Sequence, residues 1–145
     1  MSRPALLDVN LLIALFDPNH IHHEAAHAWF GAHRSLGWAT CPLTENGVVR
    51  ILANPAYSPS PERPADIARQ LSSFRDSGEH VFWPDEVSLC DSALFNLSVG
   101  HRRLTDVYLL GLAVRRGGRL ATFDRSIPSK AVPEARSAGL VVVDA

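Results

Sequence analysis

Short apolar runs of strand type alternate with amphipathic runs along the whole chain, and this alternation restricts the fold most. ALLDV (Ala5–Val9) reads as a short buried strand, and GWATC, HVFWP, RLATF and GLVVV each read as a strand. Helical patterns lie between them. NLLIALF is apolar almost all round, takes Asn10 as its expected N-cap and stops at Asp17-Pro18. A second helix is predicted from about His20 to Arg34, with Ile21, Ala25, Ala28 and Trp29 as its apolar stripe. Pro42 and Thr44 open a third, running to about Ala53. Ile67, Leu71 and Phe74 stand at i, i+4, i+7 on a fourth. Short helical pieces are expected between Glu86 and Gly100. A strong helix follows from Leu104 to Arg116, capped by Thr105 and ended by Gly117-Gly118. The proline-rich stretch Asn54–Pro64 reads as a surface loop between helices. Strand–helix alternation implies a parallel sheet with helices on both faces. The 145 residues are expected to form one domain, 1–145, large enough for a proper core.

Composition narrows the class. With 46% hydrophobic and 20% charged residues the chain reads as globular, and no apolar run is long enough to span a membrane. The N-terminal run is interrupted by Asp8 and Asn10 and lacks a signal-peptide pattern. Cys41 and Cys90 form no C-x-x-C pair, so both thiols are expected free in a reducing cytosol. A net charge of −1 announces no nucleic acid globally, although arginine outnumbers lysine 13 to 1 and suits phosphate recognition.

In a parallel α/β sheet, ligands bind beyond the carboxyl ends of the strands. Four acids are expected there. Asp8 follows the first strand and Asp124 ends RLATFD. Glu45 and Asp106 lie in the first turns of helices, the former directly after a strand. Each has a plain structural explanation, as a turn residue or a partner of a helix dipole. Together they are hard oxygen donors without a nearby Cys or Lys, which suits Mg²⁺ or Mn²⁺. Such an ion polarises a phosphate and makes a bound water nucleophilic at neutral pH. Carboxylates crowded in this way repel one another without a cation. Neutralising Asp124 is therefore expected to cost the metal-free protein no stability.

HEAAH, at His23–His27, offers a competing metal chemistry because it matches the H-E-x-x-H zinc signature. The rest of a zinc protease is missing. Phe30 stands where a metzincin needs glycine, and Met1 is the only methionine, so no methionine turn exists. The histidines are expected to belong to a surface helix.

LLDVNLLIALF, PLTENGVVRIL and LTDVYLLGLAVRRGGRLATFD together resemble a PIN domain of the VapC-type toxin family, over nearly the entire chain. The histidine helix is similar to the family's second helix, with its H-x-x-A-x-x-W run. The resemblance implies a Rossmann-like three-layer α/β/α fold with a mostly parallel sheet, and a Mg²⁺- or Mn²⁺-dependent endoribonuclease. It also implies inhibition by a VapB-type antitoxin and a homodimer. Carried over by motif, the acidic ligands fall on Asp8, Glu45, Asp106 and Asp124, with Asn10, Thr105 and Ser126 in support. Arg50, Arg102, Arg103 and Arg125 are candidates for RNA phosphates because they neighbour the acids in sequence. Two other readings compete with RNA hydrolysis. A HAD-type phosphohydrolase would need a second aspartate where Asn10 stands. A non-catalytic PIN-fold binding module would not need all four acids.

Overall fold

The computed structural model describes residues 3–145. Its elements follow in the order β1 (Ala5–Leu7), α1 (Val9–Phe16), α2 (His23–His33), β2 (Trp38–Thr40), α3 (Pro42–Leu52), α4 (Pro64–Arg75), β3 (His80–Phe82), α5 (Leu104–Arg115), β4 (Arg119–Thr122) and β5 (Leu140–Val142). All five strands are parallel, in the spatial order β3-β2-β1-β4-β5. The central strand β1 is therefore also the first in sequence.

Side chains alternate across the sheet with the strand period of two. Ala5, Leu7, Trp38 and Ala121 face one core, closed by α1 to α4 through Leu11, Phe30, Val48, Ile67 and Leu71. Leu6, Ala39 and Leu120 face the other, closed by α5 through Val107, Leu109 and Leu110 and by Leu94, Phe95 and Ile127 from connecting segments. This is the three-layer α/β/α arrangement. The layers are unequal, with four helices on one side. The short helices expected between Glu86 and Gly100 are replaced by turns. Asp91 and Asn96 side chains accept backbone N–H groups two residues ahead, a local bond that competes with helix.

Two more expectations are corrected. The buried stripe of α2 is Ala26 and Phe30, whereas Ile21 is 86% exposed. His23 Nδ1 lies 2.7 Å from the Ala14 carbonyl and His27 Nε2 lies 2.8 Å from that of Leu15. These imidazoles satisfy carbonyls that the C-terminus of α1 leaves open, so the histidines tie α2 to α1 although His27 stays exposed. The second correction concerns α5. It begins directly from a 3-10 turn, His101–Arg103, and Thr105 is exposed inside its first turn with no capping bond. Gly117, at φ +72°, ends it in the left-handed conformation.

Because the sheet is wholly parallel, the residues after each strand share one edge. α1 and α3 cross there in close contact: a Cβ on Gly47 would fall 2.7 Å from Val9 Cγ2. That crossing sets the first turn of α3, with Glu45, against the start of α1.

Candidate active site

Asp8 is the residue on which the site is built. It sits one step past β1, is only 5% exposed, and is the N-cap of α1 in place of Asn10. Val9 N–H donates to its Oδ1 at 2.7 Å, and the Thr122 hydroxyl donates to its Oδ2 at 2.8 Å. Burial raises its pKa from 3.8 to about 6, against the pull of the Thr122 bond, and the charges of Asp106 and Asp124 raise it further.

Thr122 ends β4 and is fully buried. Its oxygen also accepts from Asn10 Nδ2 and from the Asp124 backbone N–H, each at 3.0 Å. Asn10 Oδ1 takes the Phe123 N–H at 3.2 Å. Thr122 and Asn10 thus fix the start of α1 to the end of β4 and hold Asp8 and Asp124 in one frame.

Asp106 and Asp124 lie on the two flanks of this frame. Burial raises the Asp106 pKa, and the neighbouring Asp124 charge adds to it. Asp124 behaves oppositely. The Ser126 hydroxyl at 2.6 Å and the Ser126 N–H at 2.8 Å both donate to its Oδ1 and lower its pKa. Arg103 Nη1 bonds Asp124 Oδ2 at 3.0 Å and lies 3.7 Å from Asp106 Oδ2. Asp124 is therefore a stabilised carboxylate, and these bonds argue against the expectation that its neutralisation is free of cost.

Glu45 is held apart from these three. Its Oε2 accepts the hydroxyl of the buried Thr40 at 2.6 Å and faces Arg75 Nη1 at 3.1 Å. Thr40 Oγ1 is also 2.7 Å from His80 Nε2. The threonine proton is spent on Glu45, so His80 must donate through Nε2 and be neutral at Nδ1. Its pKa is pushed down to about 4, by burial and then by the Arg75 charge. Among the described residues no three Asp, Glu, His or Cys side chains are placed so that together they could hold a metal ion. What does converge is Asp8, Asp106 and Asp124, with the Arg103 guanidinium between the last two.

The remaining expected residues divide by position. Ser126 and Asn10 touch the acid frame, and Thr105 makes no side-chain bond to it among the described residues. Arg125 is paired with Asp144 at 2.8 Å on the surface. Arg50 and Arg102 are exposed and meet no acid among the described residues. The sequence reading missed Thr122, Thr40, His80 and Arg75. A signal was present for the threonines, since WAT and LAT each end a strand with Ala-Thr and place the hydroxyl at the carboxyl edge.

The site is thus a row of carboxylates at the carboxyl edge of a parallel α/β sheet. The PIN domain profile matches residues 5–133, and the chain belongs to the PIN-domain family. It is 47% identical over 141 residues to Ribonuclease VapC39 of Mycobacterium tuberculosis, covering 96% of this chain and 98% of that protein. It is 52% identical over 123 residues to Ribonuclease VapC38 of the same organism, covering 85% and 86% of the two chains. Ribonuclease VapC44 is 45% identical over 133 residues, or 90% and 93%.

Proposed function

We propose that this protein is a Mg²⁺- or Mn²⁺-dependent endoribonuclease, the toxin of a toxin–antitoxin pair, inhibited in the cytosol by a VapB-type antitoxin. The observation that carries the reading is Asp8: a carboxylate 5% exposed at the carboxyl edge of the sheet, near enough to Asp106 and Asp124 for their charges to raise its pKa. Three such groups need a cation, and Arg103 already sets positive charge between two of them. The donor set is all carboxylate, the chemistry that a hard divalent ion takes, and Asp8, Asp106 and Asp124 would hold the ion after drawing together around it. When bound, that ion supplies a Lewis acid for a phosphate oxygen and lowers the pKa of a water.

The chain's own groups supply the rest. Thr122 fixes Asp8 through Oδ2, and Ser126 fixes Asp124 through Oδ1. Glu45 is too firmly held by Thr40 and Arg75 to join the ligands without rearrangement. Among the described residues its Oε1 has only Arg75, at 3.4 Å, and it is the atom that orients a water and accepts its proton. Arg102, exposed in the 3-10 turn that leads into α5, takes an RNA phosphate, whereas Arg50 stands in the last turn of α3, at the end away from Glu45, and is left to the outer part of the strand. The antitoxin docks on the helices and proline loop from Ile51 to Phe74. There a cleft of about 290 Å³, lined by Phe16, Leu52, Tyr57 and Gln70, lies apart from the acids. A homodimer would set two such sites along one RNA.

The test is cleavage. Purified protein incubated with total RNA should generate new 5′ ends with Mg²⁺ and none in EDTA, and Asp8→Asn should abolish them. Equal cleavage in EDTA would overturn the mechanism.

A further inference from the structure

The carboxyl edge of the sheet carries one grouping that the catalytic reading leaves unused. β3 is an edge strand, and its last two residues, Val81 and Phe82, are 43% and 42% exposed. The guanidinium carbon of Arg75 lies over the Phe82 ring, 5.1 Å from its centre. Nη1 of the same guanidinium lies 3.1 Å from Glu45 Oε2. Arg75 therefore links the catalytic edge to the aromatic ring. Guanidinium has five N–H donors. Among the described residues only Glu45 accepts from Arg75, which leaves donors on Nε and Nη2 for a ligand.

We propose that Arg75 and Phe82 form a nucleotide subsite beside the catalytic cleft, where Phe82 stacks an unpaired RNA base and Arg75 holds a phosphate of the same strand. The proposal rests on the ribonuclease reading and adds to it a place for the flanking nucleotide. Three features favour it. A row of carboxylates repels RNA, so the strand must be gripped by cations close beside them, and Arg75 touches Glu45 itself. An aromatic ring stacks any base, but only a base outside a duplex offers its face. Phe82 is 42% exposed, so part of its ring is open to solvent beside the guanidinium. A strand from another chain would use Val81 and Phe82 but would leave the Arg75 donors unmatched. A phosphate matches them.

The probe is a short fluorescein-labelled single-stranded RNA, and the same strand annealed to its complement. Anisotropy is measured with Mg²⁺ in an Asp106→Asn background that does not cleave. Phe82→Ala should weaken single-strand binding about tenfold and leave duplex binding unchanged. Phe82→Trp should restore the affinity, and Phe82→Leu, which keeps apolar bulk without a ring, should not. Arg75→Gln should reduce the salt dependence of binding by about one phosphate contact. Unchanged affinity in a folded Phe82→Ala protein overturns the subsite. So does a loss of self-association on light scattering at unchanged RNA affinity, which assigns the face to a contact between copies. If the wild type cleaves RNA and Phe82→Ala binds as its parent does, the subsite alone fails. If the wild type neither binds nor cleaves RNA, the function proposed above fails with it.

Discussion

Replacing Asp8 by asparagine should make the metal-free protein more stable at neutral pH and less stable in acid. The folded protein holds the Asp8 proton up to about pH 6, whereas the unfolded chain releases it near 3.8. Between those values the native state binds more protons than the unfolded state, so stability falls as pH rises. The full loss, reached above pH 6, is roughly 3 kcal/mol at about 1.4 kcal/mol per tenfold change. Asparagine does not titrate and escapes it. It also loses something. Asp8 accepts from both Val9 N–H and the Thr122 hydroxyl. An amide offers one oxygen, and its NH₂ would face a threonine oxygen that already accepts two hydrogens. One hydrogen bond is lost, about 1 kcal/mol. Asp8→Asn should therefore be about 1 kcal/mol less stable than wild type well below pH 3.8, slightly less stable near pH 4, and about 2 kcal/mol more stable near pH 7.5. At neutral pH its Tm should rise by roughly 4–8 °C. Urea titrations of both proteins in EDTA across this range, followed by circular dichroism, give the difference directly. Mg²⁺ should close the gap by stabilising only the wild type. A difference that stays flat from pH 4 to 7.5 would refute the placement of the desolvated charge on Asp8.

Asp124→Asn should behave oppositely and lower metal-free stability by about 1 kcal/mol at neutral pH, because Ser126 and Arg103 bond its carboxylate. That carboxylate's pKa is depressed, so its contribution is present above pH 4 and vanishes in acid, which thermal melts at both pH values check. Arg103→Gln removes the cation that competes for Asp106 and Asp124, and Mn²⁺ should bind several-fold more tightly in a calorimetric titration. Thr40→Val should lower kcat with metal affinity unchanged, whereas Thr40→Ser should retain activity; equal kcat for all three proteins would remove Glu45 from the chemistry. Changing His23 and His27 together to alanine should cost about 2 kcal/mol through the two α1 carbonyls, with no change in bound metal by elemental analysis.

All five strands are readable from the chain: β1, β2 and β4 because a strand buried on both faces is a nearly unbroken apolar run, and the more exposed edge strands β3 and β5 because their short apolar runs are rich in aromatic or β-branched residues. The four acids were readable as positions, each just past a strand or in a first helical turn. Their relations were not. Nothing in the linear order says that Glu45 Oε2 is claimed by Thr40 and Arg75, which lie 5 and 30 residues away. The same holds for Arg103 bridging acids on two different elements. Capping was misread twice, at Asn10 and Thr105, for one reason. Both residue types favour caps locally, but the polar frame around Thr122 drew Asn10 across the sheet, and the 3-10 turn before α5 left Thr105 no cap to make.

The position of β1 has a consequence for the order in which the molecule comes into being during synthesis. β1 is made first and lies at the centre, but its partner β4 begins at Arg119. The bond between Asp8 and Thr122 spans 114 residues. A nascent chain can emerge with α1 to α4 and the cleft beside the proline loop before Asp106 or Asp124 has left the ribosome. The docking surface proposed for the inhibitor thus leaves the ribosome earlier than the chemistry it would restrain. A partner present during translation meets a chain that cannot yet cut.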